Sequence, residues 1–295
     1  MLSTDVAVAV ATCGRPDGLA RCLELVTAGT AQPGELIVVD QAPSPGARRA
    51  VEACTAVPVR YVEQPRRGLS ASRNLALSLA TRPVLAVTDD DCAPDPGWVA
   101  AIAAAVDRRP EPAAVTGPVL PLGPQPPGMH GVSFRDRADA VDFRAPAIPW
   151  ATGSGANFAA RTHALRAIGG WDERLGTGTP GRAAEDSDLL YRILRDGGTV
   201  RYEPAAVVRH EWQTWSRRLA TRWSYGFGIG AMCGLWLRQG DWFTLRMLGA
   251  YARLHVRPLA RAAVRRDRDE LVERWRALAS VGPGLVYGLR VGFRS

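Results

Sequence analysis

Between residues 5 and 106, apolar runs of strand length alternate with segments of helical periodicity. No other feature of this 295-residue sequence restricts its fold so strongly. Residues 5–11 form the first run. After Pro16, the residues Leu19, Cys22, Leu23 and Val26 recur at i, i+3, i+4 and i+7, which is one face of a helix. Glu35–Asp40 reads as a second strand, 46–54 as a helix and Val59–Glu63 as a third strand. The next helix is expected over 70–80, with Ser70 as its N-cap after Gly68. Residues 83–88 supply a fourth strand and 96–106 another helix. Strands separated by helices pair in parallel, so the expectation is an α/β fold: a mostly parallel sheet with helices on both faces. Ligands of such sheets bind beyond the carboxyl ends of the strands.

The second half is less regular. Residues 118–149 are rich in Pro and Gly and are expected to be irregular, and 152–157 open a further element. A helix is expected over Glu185–Arg195, with short strands at 199–202 and 206–208. Beyond His210 the pattern is helical, basic and aromatic, and no internal repeat is present. The expected division is an α/β domain over 1–211, with halves 1–117 and 118–211, followed by a helical extension over 212–295.

Charge separates the same two parts. Every basic residue is Arg. From Arg209 onward 16 Arg face 6 acidic residues, a net of +10, whereas the preceding part is at −2. The tail also holds six of the nine Trp, which suggests that it meets an anionic surface. Five scattered cysteines without a CxxC pair argue against a disulfide framework or zinc site and fit a reducing cytoplasm. Asp5 stands where a signal peptide would carry basic residues. The uncharged stretch 223–237 is shorter than the roughly 20 residues a spanning helix needs and carries four glycines, so no span is expected there.

Each strand of the first half ends in polar chemistry: Thr12 and Arg15 after the first, Asp40 on the second, Asp89-Asp90-Asp91 after the fourth. In extended backbone, i and i+2 share a side, so Asp89 and Asp91 can converge while Asp90 faces away. Two such carboxylates suit a hard divalent cation; a solvated acidic turn before Pro94 and Pro96 is the alternative. On the later helix, Leu189, Leu190, Ile193 and Leu194 set the inward stripe. At about 100° per residue, Asp186 lies within about 10° of its centre and Asp188 nearly opposite. Asp186 is either a general base in a cleft or a carboxylate that caps the helix or pairs with a buried Arg. Arg66, Arg67 and Arg73 around 68–72 form an anion site or a solvated basic turn. His210, ending a short strand, is read locally as structural. In the tail Arg246, Arg253, Arg257 and Arg261 share a helical face near Trp242. That face is either a membrane-surface contact or a solvated one, and Pro258 is expected to kink or restart its helix.

Taken in order, these segments resemble the inverting glycosyltransferases of family two, which have the GT-A fold; the resemblance covers roughly the first 210 to 230 residues. AVATCGRPDGLARCLELV, with Thr12 and Arg15, resembles the opening strand, loop and helix of the nucleotide-sugar half. IVVDQAP implies Asp40 as the base-reading residue, and RRGLSASRNLAL places Arg73 near the diphosphate. TDDDC resembles the D-x-D position that binds Mn2+ or Mg2+. It implies Asp89 and Asp91 as ligands, Asp89 and Asp90 beside the donor, and His210 of YEPAAVVRHEW as a further ligand. GANFAAR, GGWDERLG and EDSDLLYRILRDGG resemble the acceptor-side block, which implicates Gly155, Asn157, Trp171, Asp172 and Glu185 and makes Asp186 the catalytic base. The implied reaction is one in-line displacement that moves a sugar from a nucleotide-diphosphate sugar to an acceptor, with inversion. Gln41 departs from the Asn, Asp or Ser often found after the base-reading Asp. LATRW (residues 219–223) has Leu219 where processive synthases carry Gln, so transfer of one or a few sugars is favoured.

Three rival readings are a nucleotidyltransferase that makes sugar nucleotides, a basic nucleic-acid-binding protein and a transferase fold that has lost activity and only binds. The first has no use for the ED block. The second lacks a nucleic-acid motif, so no nucleic-acid partner is expected. The expected partners are a nucleotide-diphosphate sugar, an unidentified acceptor such as a cell-envelope glycan or lipid, and an anionic membrane surface. The expected location is the cytoplasm, with peripheral attachment to the inner face of its membrane through the tail.

Overall fold

In a computed structural model, which describes residues 4–65, 67–132 and 134–291, the chain forms two compact units interleaved along the sequence. The first runs to Pro126 and takes in Gly131–Trp171 and Asp186–Trp212. The second is built from Pro127–His130, Asp172–Glu185 and the chain from Gln213 onward. Arg66, one member of the basic cluster read from the sequence, lies outside the described residues.

The first unit opens with β1 (Val6–Thr12), α1 (Pro16–Thr27), β2 (Glu35–Asp40), α2 (Pro45–Glu52), β3 (Val59–Glu63), α3 (Leu69–Leu79) and β4 (Val84–Asp89). It continues through β5 (Cys92–Pro94), α4 (Trp98–Val106), β6 (Ala114–Thr116) and β7 (Val119–Pro121). The two-residue β8 (Met129–His130) belongs to the second unit. Then follow β9 (Val141–Phe143), a 3-10 turn (Pro149–Ala151), β10 (Phe158–Arg161), α5 (Thr162–Ala167), α6 (Glu185–Arg195), β11 (Val200–Tyr202) and β12 (Val208–His210).

Eight strands make the main sheet in the order β3-β2-β1-β4-β10-β6-β11-β9. The neighbours β3, β2, β1 and β4 pair in parallel, and β10 runs antiparallel between β4 and β6. Strand alternation divides the core between the two faces. Val6, Val8, Val10, Leu36 and Val38 pack against Leu19, Leu23, Trp98 and Ile102 of α1 and α4. Ala7, Ala9, Ile37 and Val39 face Leu77 of α3 and Leu189, Leu190, Ile193 and Leu194 of α6. Each of these large apolar side chains contributes about 1.5–3 kcal/mol by leaving water, which is why four near-continuous apolar runs specify a sheet covered on both faces. Register then sets the strand ends side by side: Thr12 lies opposite Asp40, and Ala11 opposite Asp89.

Three local expectations are corrected. The helix expected from Ser70 begins at Leu69, with Gly68 at φ 98° as its N-cap. The Gln41 side-chain oxygen accepts from the Arg67 and Gly68 amides, so the free donors before this helix are met from the end of β2 and Ser70 is buried. The strand expected at 206–208 lies instead at Val208–His210, between β5 and β7, because Asn157 draws the Ala206 carbonyl into a side-chain hydrogen bond. Residues 118–149, expected to be irregular, supply β7, β8 and β9.

The second unit contains the β8–β13 pair (β13, Gln213–Thr214) and four helices: α7 (Trp215–Leu237), α8 (Phe243–Arg265), α9 (Arg268–Ala279) and α10 (Val281–Arg290). Among the described residues no helix is long and apolar enough to cross a membrane. The glycines of 223–237 serve packing instead. A Cβ at Gly226, Gly230 or Gly234 would fall 2.0 Å from the Ala277 carbonyl, 2.1 Å from that of Val281 and 2.5 Å from that of Leu285. A Cβ on Gly284 or Gly288 would collide in return with the Phe227 and Ala231 carbonyls. The backbone of α7 therefore touches α9 at Gly226 and α10 along the rest of a seam that tolerates only hydrogen at the α-carbon. Beside it, buried Glu273 takes Arg218 at 2.7 Å and Arg222 at 2.6 Å. Helix α8 runs unbroken through Pro258, contrary to the expected kink or restart. Met247, Tyr251, His255 and Ala262 bury one face before and after the proline, and that packing holds the helix together.

Candidate functional site

The fourth strand ends in the acidic triplet, and its register beside β1 decides where each carboxylate goes. Asp90 turns toward β1, where it accepts from the Thr12 hydroxyl at 2.7 Å and meets Arg15 at 3.2 Å. Burial pushes its carboxyl up to about 6, with Asp91 and Asp89 adding to the rise and Arg15 and Thr12 opposing it. Asp91 is ion-paired with Arg15, the residue that opens α1. A Cβ on Gly18 would lie 2.7 Å from the Asp90 carbonyl, so α1 approaches the acidic turn as closely as a glycine allows.

Asp89, Asp91, Cys92 and His210 bring one ligand atom each within 4.8 Å of one another. Pairing of β5 with β12 sets His210 directly opposite Cys92, which is how residues 118 positions apart in sequence meet. The imidazole Nδ1 lies 2.8 Å from the Glu211 carbonyl, and Nε2 lies 3.3 Å from an Asp91 oxygen. When Nδ1–H donates to that carbonyl, the Nε2 lone pair faces a carboxylate, an arrangement that a cation between them resolves. Burial pushes the Cys92 thiol well above its ordinary range, with Asp89 and Asp91 adding to the rise. The two carboxylates and the imidazole are a set that fits a hard divalent ion, which prefers oxygen and nitrogen donors to sulfur.

Arg73, on α3, leads away from this cluster. It is buried, donates to Asp89 at 3.0 Å and to the Gly155 carbonyl at 3.0 Å, and stands over the Trp171 ring at 5.9 Å. The Gly155 amide donates in turn to Asp186 Oδ2 at 2.8 Å, and Asp186 Oδ1 accepts from the Ser187 amide at 2.6 Å. Hydrogen bonds thus run without a break from Asp89 through Arg73 and Gly155 to Asp186.

Other site residues read from the sequence are placed differently. Asp40 has no exposed surface, and its two oxygens accept from the Ala42 amide and the Tyr61 hydroxyl, both at 2.8 Å. Asn157 is a buried clamp. Its amide donates to the Pro118 and Ala206 carbonyls, and its oxygen accepts from the Trp98 indole at 2.9 Å. Every polar atom of its side chain is so engaged, which leaves none for an acceptor. Trp171 is buried against Phe158, and its backbone is held on both sides by Asn74. Asp172 and Glu185 belong to the second unit, where Asp172 pairs with Arg174. The helical wheel is also corrected: Asp188, expected to point outward, is buried, whereas Asp186 is half-buried. Arg192, one turn later, pairs with Asp188 at 2.9 Å and donates to the Ile168 and Gly170 carbonyls, which gives the buried carboxylate its reason.

Sequence reasoning missed Asn74 and the i, i+4 pair Asp188 and Arg192, which together fix the Gly169-Gly170-Trp171 turn. The Asp188/Arg192 spacing was a readable signal. For Asn74 the signal was its place beside Arg73 in RRGLSASRNLAL.

A parallel sheet with carboxylates and an imidazole gathered at its strand ends, and a further carboxylate reached through one arginine, defines a GT-A domain. The sequence model "Glycosyl transferase family 2" matches residues 7–167, more than half of the chain, and the chain belongs to that family. It is similar to the pre-mycofactocin glycosyltransferase of Mycobacterium tuberculosis, with 30% identity over 170 residues, 56% of this chain and 34% of that protein. The chain thus covers about a third of that relative's length. It is also similar to the glucosyl-dolichyl phosphate glucuronosyltransferase of Haloferax volcanii, with 24% identity over 71% of this chain and 69% of that one. Among solved structures, the mannosyltransferase PcManGT of Pyrobaculum calidifontis, in complex with GDP-Man and Mn2+, aligns with a TM-score of 0.63. Its identity is 18%, over 98% of this chain and 88% of that one.

Proposed function

We propose that this protein is an inverting glycosyltransferase that uses a nucleotide-diphosphate sugar and a divalent cation, with Asp186 as general base. The hydrogen-bonded path Asp89–Arg73–Gly155–Asp186 carries the reading, because it couples a diphosphate-neutralising cluster to a carboxylate held in one orientation. Asp89, Asp91 and His210 would hold Mn2+ or Mg2+, and that ion supplies neutralisation of charge on the departing diphosphate. Arg15 and Arg73 add guanidinium charge for the same oxygens, and Thr12 fixes Asp90 beneath them. Asp40 acts on the base side through Tyr61, whose hydroxyl it orients. On the other side Asp186 takes the proton of the acceptor hydroxyl, whose oxygen bonds to the anomeric carbon as the carbon–oxygen bond to the diphosphate breaks. One displacement inverts that carbon. The GDP-Man and Mn2+ of the Pyrobaculum structure support this donor chemistry.

The same reading takes the acceptor to be presented at an anionic membrane surface. Helix α8 carries five arginines and no acidic residue, and Arg246, Arg253, Arg257 and Arg261 are all exposed, flanked by exposed Trp242, Leu245, Leu254 and Val256. Guanidinium groups beside apolar side chains suit lipid headgroups better than a nucleic-acid backbone. The lipid-phosphate acceptor named for the Haloferax relative is in keeping with this.

The test is release of nucleoside diphosphate from UDP-, dTDP- and GDP-sugars, with and without Mn2+, for wild type, Asp91→Ala and Asp186→Asn. Metal-dependent release from one donor, lost in both variants, is expected. No turnover and no metal-dependent nucleotide binding from any donor would refute the reading. Failure to bind anionic vesicles at low salt would remove the membrane component alone.

A further inference from the structure

The helical unit holds an open cavity of about 520 Å³ that the transfer chemistry does not use, lined by Arg182, Ala220, Trp223, Ser224, Trp275 and Arg276. The lining holds two arginines, two tryptophans and a serine, and no acidic residue. Trp275 keeps 63% of its surface exposed, a large apolar face with no packing role to explain it. Arg182 is held in place by design of the backbone. It sits at φ 67°, in a left-handed conformation that non-glycine residues rarely adopt. The loop before it binds itself: Gly181 N donates to the Arg174 carbonyl, Arg182 N to that of Thr179, and Gly176 N to that of Ala183. The Arg182 guanidinium stands 5.3 Å from the centre of the Phe227 ring. Strain retained by a self-bonded loop, at a residue that lines a cavity, is where a ligand contact is to be sought.

We propose that this cavity binds a phosphosugar, with the pyranose against Trp223 and Trp275 and the phosphate between Arg182 and Arg276. An indole offers a flat amphipathic face of the size of a sugar ring, and paired guanidiniums match phosphate oxygens in a fork geometry that a single cation lacks. The surrounding positive charge has no acidic partner in the lining to cancel it. The proposal rests on the transferase reading for the class of ligand it names, a phosphorylated sugar. Its binding chemistry stands apart from the donor cluster.

The test uses the full chain labelled with 5-fluorotryptophan, with the Trp223 and Trp275 fluorine resonances assigned through Trp223→Phe and Trp275→Phe. Glucose 1-phosphate should displace both resonances saturably, in wild type and in Asp91→Asn alike. Glucose and inorganic phosphate, each offering half of the recognition, should bind at least about tenfold more weakly, a loss of roughly 1.4 kcal/mol. Arg182→Gln combined with Arg276→Gln should abolish the displacement and leave the other indole resonances in place, which shows that the unit still folds. No displacement, an equal response to glucose, or a response that survives the double variant would overturn the proposal. Displacement by phosphatidylglycerol vesicles with none by glucose 1-phosphate would reassign the cavity to a lipid headgroup and overturn it as well. Nucleotide-sugar turnover without displacement sinks the cavity reading alone; displacement with neither turnover nor metal-dependent nucleotide binding leaves the cavity and sinks the transferase reading.

Discussion

Gly155 joins Asp186 to Arg73 through its backbone alone: its amide donates to Asp186 Oδ2 at 2.8 Å while its carbonyl accepts from Arg73 at 3.0 Å. A Cβ here would stand 2.8 Å from Arg73 Nη1 and 3.0 Å from the Asp186 Cβ, so both partners must give way to any side chain. Gly155→Ala is therefore expected to lower kcat by about 10- to 100-fold, because displacements below an ångström in a positioned base have costs of that order. Nucleotide affinity, measured by calorimetry in the presence of Mn2+, should change less than twofold. A fall in affinity equal to the fall in kcat would place Gly155 in donor binding instead.

The metal reading makes its own prediction. Removing any one ligand from the set Asp89, Asp91 and His210 leaves two, which hold a hard cation less tightly. Asp91→Asn and His210→Ala should each weaken Mn2+ binding by on the order of 10- to 100-fold, followed by the electron paramagnetic resonance of free Mn2+. Cys92→Ser should leave it unchanged, since a hard cation takes oxygen and nitrogen donors in preference to sulfur. Loss of binding in Cys92→Ser would point to a softer ion.

These two sites differ in how far the sequence disclosed them. The strand ends were legible because apolar runs locate buried parallel strands to within a residue or two, and a parallel sheet gathers what terminates them. Thr12, Arg15 and the acidic triplet followed from that rule, and His210 followed only from the resemblance. Asn157 shows the limit. Its place in an ordered motif suggested an acceptor contact, but whether an amide meets a ligand or three buried partners is decided by tertiary contacts from Trp98, Pro118 and Ala206. Asp188 shows another. The apolar stripe judged it outward, because a wheel drawn from apolar residues cannot register a buried ion pair with Arg192.

Asn157→Ala should accordingly act on stability. It strands the Trp98 indole N–H and the Ala206 carbonyl in the core, while the Pro118 carbonyl keeps only the Val208 amide. The expected cost is about 2–4 kcal/mol, read as a lower urea midpoint. A folded, equally stable variant with lost activity would restore the acceptor role read from the sequence.

The glycine seam of α7 and α10 predicts the response to the smallest enlargement. Gly230→Ala places a methyl group 2.1 Å from the Val281 carbonyl, which is backbone and yields only if the helices separate. A loss of about 1–3 kcal/mol is expected in the unfolding of the helical unit. Gly249→Ala on α8, where a Cβ meets nothing nearer than 3.9 Å, should gain up to about 1 kcal/mol instead. Equal effects of the two would show that the seam is looser than its geometry.

His255 adds a pH dependence to the same unit. Its ring is buried on α8 beside Tyr251, and burial, reinforced by the positive charge of Arg274 and Arg222 and only partly offset by Glu273, lowers it to about 4. In the unfolded chain the same imidazole titrates near its ordinary value of about 6.5. Between these values the unfolded state holds the extra proton, so stability rises with pH across the window and falls as the solution is acidified. From pH 7.5 to pH 5 the loss attributable to this residue is about 2 kcal/mol. Glu273 is held below its ordinary range because Arg218 and Arg222 outweigh its burial, so it stays ionised at pH 5 and contributes little there. Urea unfolding at pH 7.5, 6 and 5 should therefore show a falling midpoint in wild type and a flatter profile in His255→Phe, which keeps the ring volume without the titration. An unchanged slope in that variant would mean that His255 is protonated in the folded unit, and its buried Nδ1, which has no hydrogen-bond partner among the described residues, would then need one.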